Sequence, residues 1–309
     1  MVNKSIYRLG CLDIGSNAIK YKQYRIKRDH ENFYEELEAY KRIPIRLGTD
    51  AFRKRKIKKK TVHKLVEELE TLLLQLNLKN VNLIGGYATS AMRTASNGKE
   101  ICHHIKQNLD IDLTILSGED EARLLSHLTE KYPQNGTHLF VDVGGGSTEI
   151  YYENGESKQI QSFNLGAVRV YLEEENLSDW KDLEDYLSKL KDTPVKKIIG
   201  VGGNIRSIIS IINKNQNLSI SIGQLEACMN ELVKFGKKEK MKMYSLSRDR
   251  ADIIESATKI FIRIMSLFPN STLQSASWSI CDALVKDFIN KNHAGLSSEF
   301  NKTSSLFKT

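Results

Sequence analysis

Twice in this chain an apolar run ends in an aspartate, turns on glycine and resumes as a strand of alternating residues: CLDIGSNAIKYKQYRIK around Asp13 and HLFVDVGGGSTEIYY around Asp142. Each stretch reads as strand, turn and strand, and each leads into a third strand, EELEAYKRIPIRLG in the first case and SKQIQSFNLG in the second. The two aspartates are 129 residues apart, about one domain length, which predicts an internal duplication into two facing α/β domains. The expected division is 1–124 and 125–309, with helical additions in the second part and a C-terminal helix at about 290–309 returning to pack on the first.

Between the two repeats, strands alternate with helices. Val62, Leu65, Val66, Leu69, Leu73 and Leu76 recur at the spacing of one helical face. VNLIGGYATS and IDLTIL read as strands, SNGKEICHHIKQNL and GEDEARLLSHLTEKY as helices, and YPQNG as the turn before the second repeat. Later, VKKIIGVGGNIRSIISII reads as strand, glycine loop and helix, RDRADIIESATKIFIRIMSLF as a long helix, STLQSAS as a weak strand and SICDALVKDFI as a closing helix.

Composition removes several alternatives. With 40% hydrophobic residues, 27% charged residues and four prolines in 309, the chain has the balance of a folded protein and not of a disordered one. No apolar run approaches the roughly 20 residues of a membrane helix, and the first residues lack the pattern of a secretory signal, so a cytoplasmic protein is expected. Cys11, Cys102, Cys228 and Cys281 form no CxxC pair and have no histidine at ligand spacing, which predicts reduced thiols. His103 and His104 are adjacent and cannot share a helical face, so both are read as surface residues. A formal charge of +8 favours an anionic partner: nucleic acid, a membrane surface or a phosphate-rich small molecule.

Glycine turns after strands let backbone N–H groups approach an anion. If the duplicated halves face each other, DIGSN at 13–17 and DVGGGS at 142–147 grip a chain of phosphates from opposite sides, while Asp13, Asp142 and Glu149 offer oxygen ligands to Mg²⁺. GVGGN at 200–204 is a third glycine loop without the lysine of a P-loop. Glu119, Asp120 and Glu121 open a helix, where they serve either the helix dipole or, through one carboxylate, as a general base. Thr89, Ser90, Arg93 and Asn97 follow a strand, and Arg93 is either an exposed helix residue or a phosphate ligand. RKRKIKKK at 53–60 is either a solvated surface or a docking run for a long polyanion, and its lack of aromatics disfavours stacking on bases.

Taken in order, CLDIGSNAIK, ATSAMRTASN, SGEDEAR, VDVGGGSTEI and GVGGN resemble the motifs of the exopolyphosphatase and guanosine pentaphosphate phosphohydrolase (Ppx/GppA) family. The resemblance runs from about residue 6 to 206. It implies duplicated ribonuclease H-like domains of the actin, Hsp70 and sugar-kinase type around an interdomain cleft, in a short two-domain form. It further implies release of terminal phosphate from inorganic polyphosphate or a phosphorylated guanosine nucleotide, with Mg²⁺ or Mn²⁺ as cofactor. Glu121 would be the general base, with Asp142 and Glu149 placing metal and water and Asp13 completing the metal environment. Gly15, Ser16, Asn17, Gly144, Gly145, Gly146 and Ser147 would cradle phosphates, and Arg93 would bind the terminal one. A homodimer is implied by analogy; neither a membrane nor a specific nucleic-acid sequence is an expected partner. A catalytically weak polyphosphate- or nucleotide-binding sensor and an ATP-dependent kinase of the same fold are the alternatives. The chain departs from the family pattern at Ala18, at Asn204 and in SWSICDALVKD, where a C-terminal signature is not recognisable.

Overall fold

The computed structural model describes residues 7–29, 32–77, 81–132, 137–154, 157–190, 195–213, 219–293 and 296. Alternation makes β1 (Tyr7–Ile14), β2 (Ile19–Asp29) and β3 (Asn32–Ile43) an antiparallel meander. The chain then crosses through α1 (Leu47–Lys54) and α2 (Lys59–Asn77) to β4 (Asn82–Ala88), which lies parallel to β1. Next come α3 (Ser90–Thr94), α4 (Gly98–Leu109) and β5 (Leu113–Ile115), giving a five-stranded sheet in the order β3-β2-β1-β4-β5.

The second sheet repeats this plan. A short helix, α5 (Gly118–Leu124), and a 3₁₀ segment (Leu125–Lys131) lead to the meander β6 (His138–Val143), β7 (Thr148–Glu153) and β8 (Lys158–Phe163). Then α6 (Ala167–Leu172) and α7 (Leu177–Ser188) cross to β9 (Lys197–Val201), parallel to β6. α8 (Gly202–Ile212), α9 (Ile222–Leu232), α10 (Lys237–Met243) and α11 (Arg248–Ser266) precede β10 (Thr272–Ser275), so the order is β10-β9-β6-β7-β8. Reading each sheet from its third strand, the two have one topology, and the expected duplication stands.

The helices form where apolar spacing demands a buried face. On α2, Leu65, Leu69, Leu72 and Leu76 are buried, with Val62, Val66 and Leu73 packed at the margin. Each fully buried leucine contributes about 2 kcal/mol of transfer free energy, and that burial holds the helix to its sheet more than propensity does. α11 likewise buries Ile253, Ile254, Ala257, Ile260, Phe261 and Ile264. Close backbone approach explains Gly86, where an added Cβ would fall 2.6 Å from Leu12.

Details differ from the expected boundaries. The segment from Gly118 is helical only to Leu124 and then tightens into the 3₁₀ form. A helix that returns to the first sheet is α12 (Ile280–Lys291), where Cys281, Val285 and Ile289 pack with Leu9, Cys11, Tyr24 and Ile26, and Leu296 joins the same cluster. The region 290–309 lies mostly outside the described residues, as does most of the YPQNG turn. Among the described residues no helix is long and apolar enough to cross a membrane. All four cysteines are free thiols, three of them buried, and His103 and His104 are exposed.

Candidate functional site

The two glycine turns occupy equivalent places. Each is closed by the amide of its first glycine, Gly15 N–H to the Ala18 carbonyl at 3.1 Å and Gly144 N–H to the Ser147 carbonyl at 2.9 Å. The turns meet: a Cβ on Gly145 would lie 2.9 Å from the Ser16 Cβ. Gly146 has no room for a side chain, since a Cβ would fall 2.2 Å from both Phe52 Cζ and Ser90 Oγ. Glycine is required there by crowding between the two halves of the molecule.

The aspartates before the turns have different neighbours. Strand register sets Asp13 opposite Lys20 and Asp142 opposite Glu149. The first pair is a salt bridge of 2.6 Å. Burial opposes the Lys20 charge, but Asp13 and, behind it, Asp142 outweigh that and hold the ammonium above its ordinary pKa. In the second pair both members are acids. Burial, against the pull of Lys20, lifts Asp142 to about 6. Glu149 is pushed well up by burial and then by Glu121 and Asp142. Its Oε1 accepts from the Ser162 hydroxyl at 2.9 Å, whereas its buried Oε2 has no partner among the described residues.

Glu121 faces this pair from α5. The Ser117 side chain caps the helix by accepting from the Asp120 amide at 3.0 Å, and the first turn sends Glu119 and Asp120 to solvent and Glu121 inward, 8% exposed. Of the three acids offered by the sequence, only this one reaches the site. Burial, opposed by Arg93 and reinforced by Asp142 and Asp13, lifts its pKa to about 7. Arg93 is half-buried rather than an exposed helix residue. Its Nη1 donates to the Leu116 carbonyl at 2.7 Å and to Glu121 Oε2 at 3.2 Å, and its Nη2 stands 3.5 Å from Ser147 Oγ.

The remaining residues singled out by sequence divide. Thr89 and Ser90 are buried beside the first turn, the Thr89 amide donating to the Ile14 carbonyl at 3.2 Å. Asn97 is turned away, its side chain bonded to both backbone groups of Ile57 at 2.9 and 3.0 Å. Ser16 Oγ is buried without a partner among the described residues. Asn17 donates its amide to Asp249 Oδ2 at 2.9 Å, on the first turn of α11, where Arg42 also binds Asp249 and Arg46 binds Asp252 at 2.6 Å. Asn204 supports the second turn, its Nδ2 donating to the Val143 carbonyl at 2.8 Å. Gly202 has φ +89°, and a Cβ there would lie 2.7 Å from Asp142 Oδ1. In the basic run, Ile57 is buried and the seven cationic side chains are exposed, spanning the end of α1 and the start of α2.

A divalent cation fits part of this set. Among the described residues no three His, Cys, Asp or Glu side chains form a ready cage. Mg²⁺ asks for less, binding one or two carboxylates together with water and substrate oxygens. Asp142 and the unpartnered Oε2 of Glu149 meet that demand, whereas Asp13 is engaged by Lys20.

A model of the Ppx/GppA phosphatase family matches residues 39–288. The chain belongs to the Ppx/GppA phosphatase family. Curated relatives include a bifunctional 3-dehydroquinate synthase/phosphatase of Fusobacterium nucleatum, 26% identical over 86% of this chain and 44% of that protein. Another is a guanosine-5'-triphosphate,3'-diphosphate pyrophosphatase of Aeromonas hydrophila, 21% identical over 69% of this chain and 46% of that one. The chain thus spans under half the length of these relatives. Among solved structures, the Aquifex aeolicus Ppx/GppA family member has a TM-score of 0.73 at 23% identity, covering 93% of this chain and 99% of its own. An exopolyphosphatase from Cytophaga hutchinsonii gives 0.77 at 18% identity over 92% and 98%. These two establish the actin-like fold.

Lys20 and Asp249 escaped the sequence reading. For Lys20 a signal existed: overlaying the repeats puts it seven residues after Asp13, as Glu149 stands seven after Asp142. Asp249 had none, because its partner Asn17 is 232 positions away.

Proposed function

We propose that this chain is a phosphohydrolase that releases terminal orthophosphate from inorganic polyphosphate or guanosine pentaphosphate, with Glu121 as general base. The observation that carries this reading is the placement of Glu121, a buried carboxyl raised to about 7, held by Arg93 at 3.2 Å beside Ser147 and the second glycine turn. A base poised near neutrality takes a proton from water without being spent on surrounding cations.

In this reading the terminal phosphate lies against the Arg93 guanidinium and the amides of Gly145, Gly146 and Ser147, with Ser16 donating its hydroxyl from the facing turn. Glu121 Oε accepts a proton from the attacking water as the oxygen bonds to phosphorus, and the bridging oxygen leaves with the shortened chain. The proton on Glu121 then passes to solvent or product. Mg²⁺ or Mn²⁺, held by Asp142 and Glu149, would supply charge neutralisation for the phosphate oxygens. Burial excludes water and makes each of these donors count for more than it would at a surface.

The test is phosphate release by the full chain with Mg²⁺ from long polyphosphate, tripolyphosphate and guanosine pentaphosphate. Glu121→Gln is expected to lose about 100-fold or more in turnover while still binding substrate. Unchanged turnover in that variant refutes the base, and no release by the parent from any of the three refutes the function.

A further inference from the structure

Behind the second glycine turn lies an arginine that neither the sequence motifs nor the reaction has accounted for. Arg169, on α6, is 6% exposed. Its Nε donates to the Gly146 carbonyl at 2.7 Å, its Nη2 to Thr94 Oγ1 at 3.0 Å, and its guanidinium lies over the Phe52 ring, 4.0 Å from the centroid. Among the described residues no carboxylate lies within salt-bridge distance of it. Burial, with Arg55 nearby, lowers its pKa to about 10, so it remains a cation at neutral pH. A cation so deeply placed is costly unless its surroundings use the charge.

Its two hydrogen-bond partners are informative. Gly146 directly precedes Ser147, and Thr94 directly follows Arg93. Arg169 therefore bridges the residues next to the two groups assigned to the terminal phosphate, which stand 3.5 Å apart on opposite halves of the molecule. The same side of the turn is bound throughout. The Gly144 carbonyl accepts from the Ala167 amide at 3.0 Å, and the Gly145 carbonyl accepts from the Val168 amide at 2.7 Å and the Arg169 amide at 3.2 Å. With all three glycine carbonyls turned toward α6, the planar trans peptide sends the N–H groups of Gly145, Gly146 and Ser147 away from it. The Gly146 C=O and Ser147 N–H share one peptide unit, so a cation on the oxygen strengthens the N–H as a donor.

We propose that Arg169 is a positioning residue for phosphoryl transfer: it fixes the spacing of Ser147 and Arg93 across the cleft and polarises the Ser147 amide toward the phosphate. The inference rests on the phosphohydrolase reading for its reaction, but it makes a separate claim about anion binding. A purely structural Arg169 would affect melting temperature alone. A positioning one alters kcat and the affinity for a phosphate mimic together.

The experiment uses the full chain as parent, Arg169→Gln, Arg169→Lys and Thr94→Val, with thermal midpoints, kcat and KM on tripolyphosphate, and calorimetric binding of orthovanadate. Arg169→Gln is expected to lower kcat about tenfold or more and to weaken vanadate by a similar factor, with KM changed less. Arg169→Lys, which keeps the charge, is expected to recover part of both losses. Thr94→Val, which removes only the bridge, should lower both a few-fold at a nearly unchanged midpoint. Retention of kcat and vanadate affinity within twofold by Arg169→Gln overturns the proposal. Should that variant fail to fold, the same retention by Arg169→Lys and Thr94→Val overturns it. If the parent itself releases no phosphate, the function falls, and equal vanadate affinity in parent and variants then overturns the role of Arg169 independently.

Discussion

The hairpins around Asp13 and Asp142 have the same register, the same glycine turn and the same closing hydrogen bond, yet one sets lysine opposite its aspartate and the other glutamate. In the first the charge is settled internally. In the second, a half-buried Asp142 and a buried Glu149 face each other with Glu121 close by, all three raised in pKa, and one carboxylate oxygen is without a partner among the described residues. Duplication supplied two equal scaffolds, and divergence at one position per hairpin separates a structural ion pair from a centre that calls for an external cation or a proton. The lesson is that the fold places the positions, while the sign of one side chain decides whether a position can do chemistry.

The comparison can be broken by exchanging its terms. Glu149→Lys copies the first pairing into the second hairpin, and phosphate release is expected to fall by about three orders of magnitude as the cation proposed for this site is repelled, while the melting temperature holds or rises. A variant that keeps a tenth of parental release would show that the acid pair is not the metal site. Lys20→Met leaves Asp13 buried without its cation. Since Lys20 is partly open to solvent, a loss of about 2 kcal/mol in unfolding free energy is expected in urea titrations, and an unchanged midpoint would mean that the pair contributes nothing.

The smallest effect is one of pH. Phosphate release should rise with pH through about 7 as Glu121 loses its proton. Stability should move the other way. With its folded pKa above the unfolded value, Glu121 stays protonated in the native state after the unfolded chain has lost its proton, so its contribution is full below pH 4 to 5 and is lost as pH rises through about 7. In metal-free buffer, Glu121→Gln should therefore gain on the parent between pH 5 and 8, read as the difference in thermal midpoints. A difference independent of pH would remove the raised carboxyl from the account.

Much of this arrangement was legible in the sequence, and the exceptions share a cause. Alternation around Asp13 and Asp142 gave both meanders, and the leucine spacing of α2 gave that helix nearly to its ends. Among the residues singled out by sequence, Glu121, Arg93 and Ser147 of the second turn lie together. Asp13 and Asn17 are each bound to a protein partner, Lys20 and Asp249. What stayed hidden depends on contacts distant in sequence. Which of three consecutive acids faces inward is decided by the phase of a helix that begins at the Ser117 cap, and a composition of acids does not carry that phase. Asn204, read as a departure, turns out to hold the Val143 carbonyl 61 positions away. The start of α1 at Leu47 carries no side-chain cap, which left that helix without a local signal.

The packing of α12 on the first sheet has a consequence for how the protein is made. Leu9, Cys11, Tyr24 and Ile26 leave the ribosome about 250 residues ahead of Cys281, Val285 and Ile289, which cover them. While the residues between them are made, an apolar face of the first sheet waits uncovered, open to a chaperone or to another nascent chain. The packing of the first sheet is thus finished only once α12 has emerged, well after the sheet's own strands.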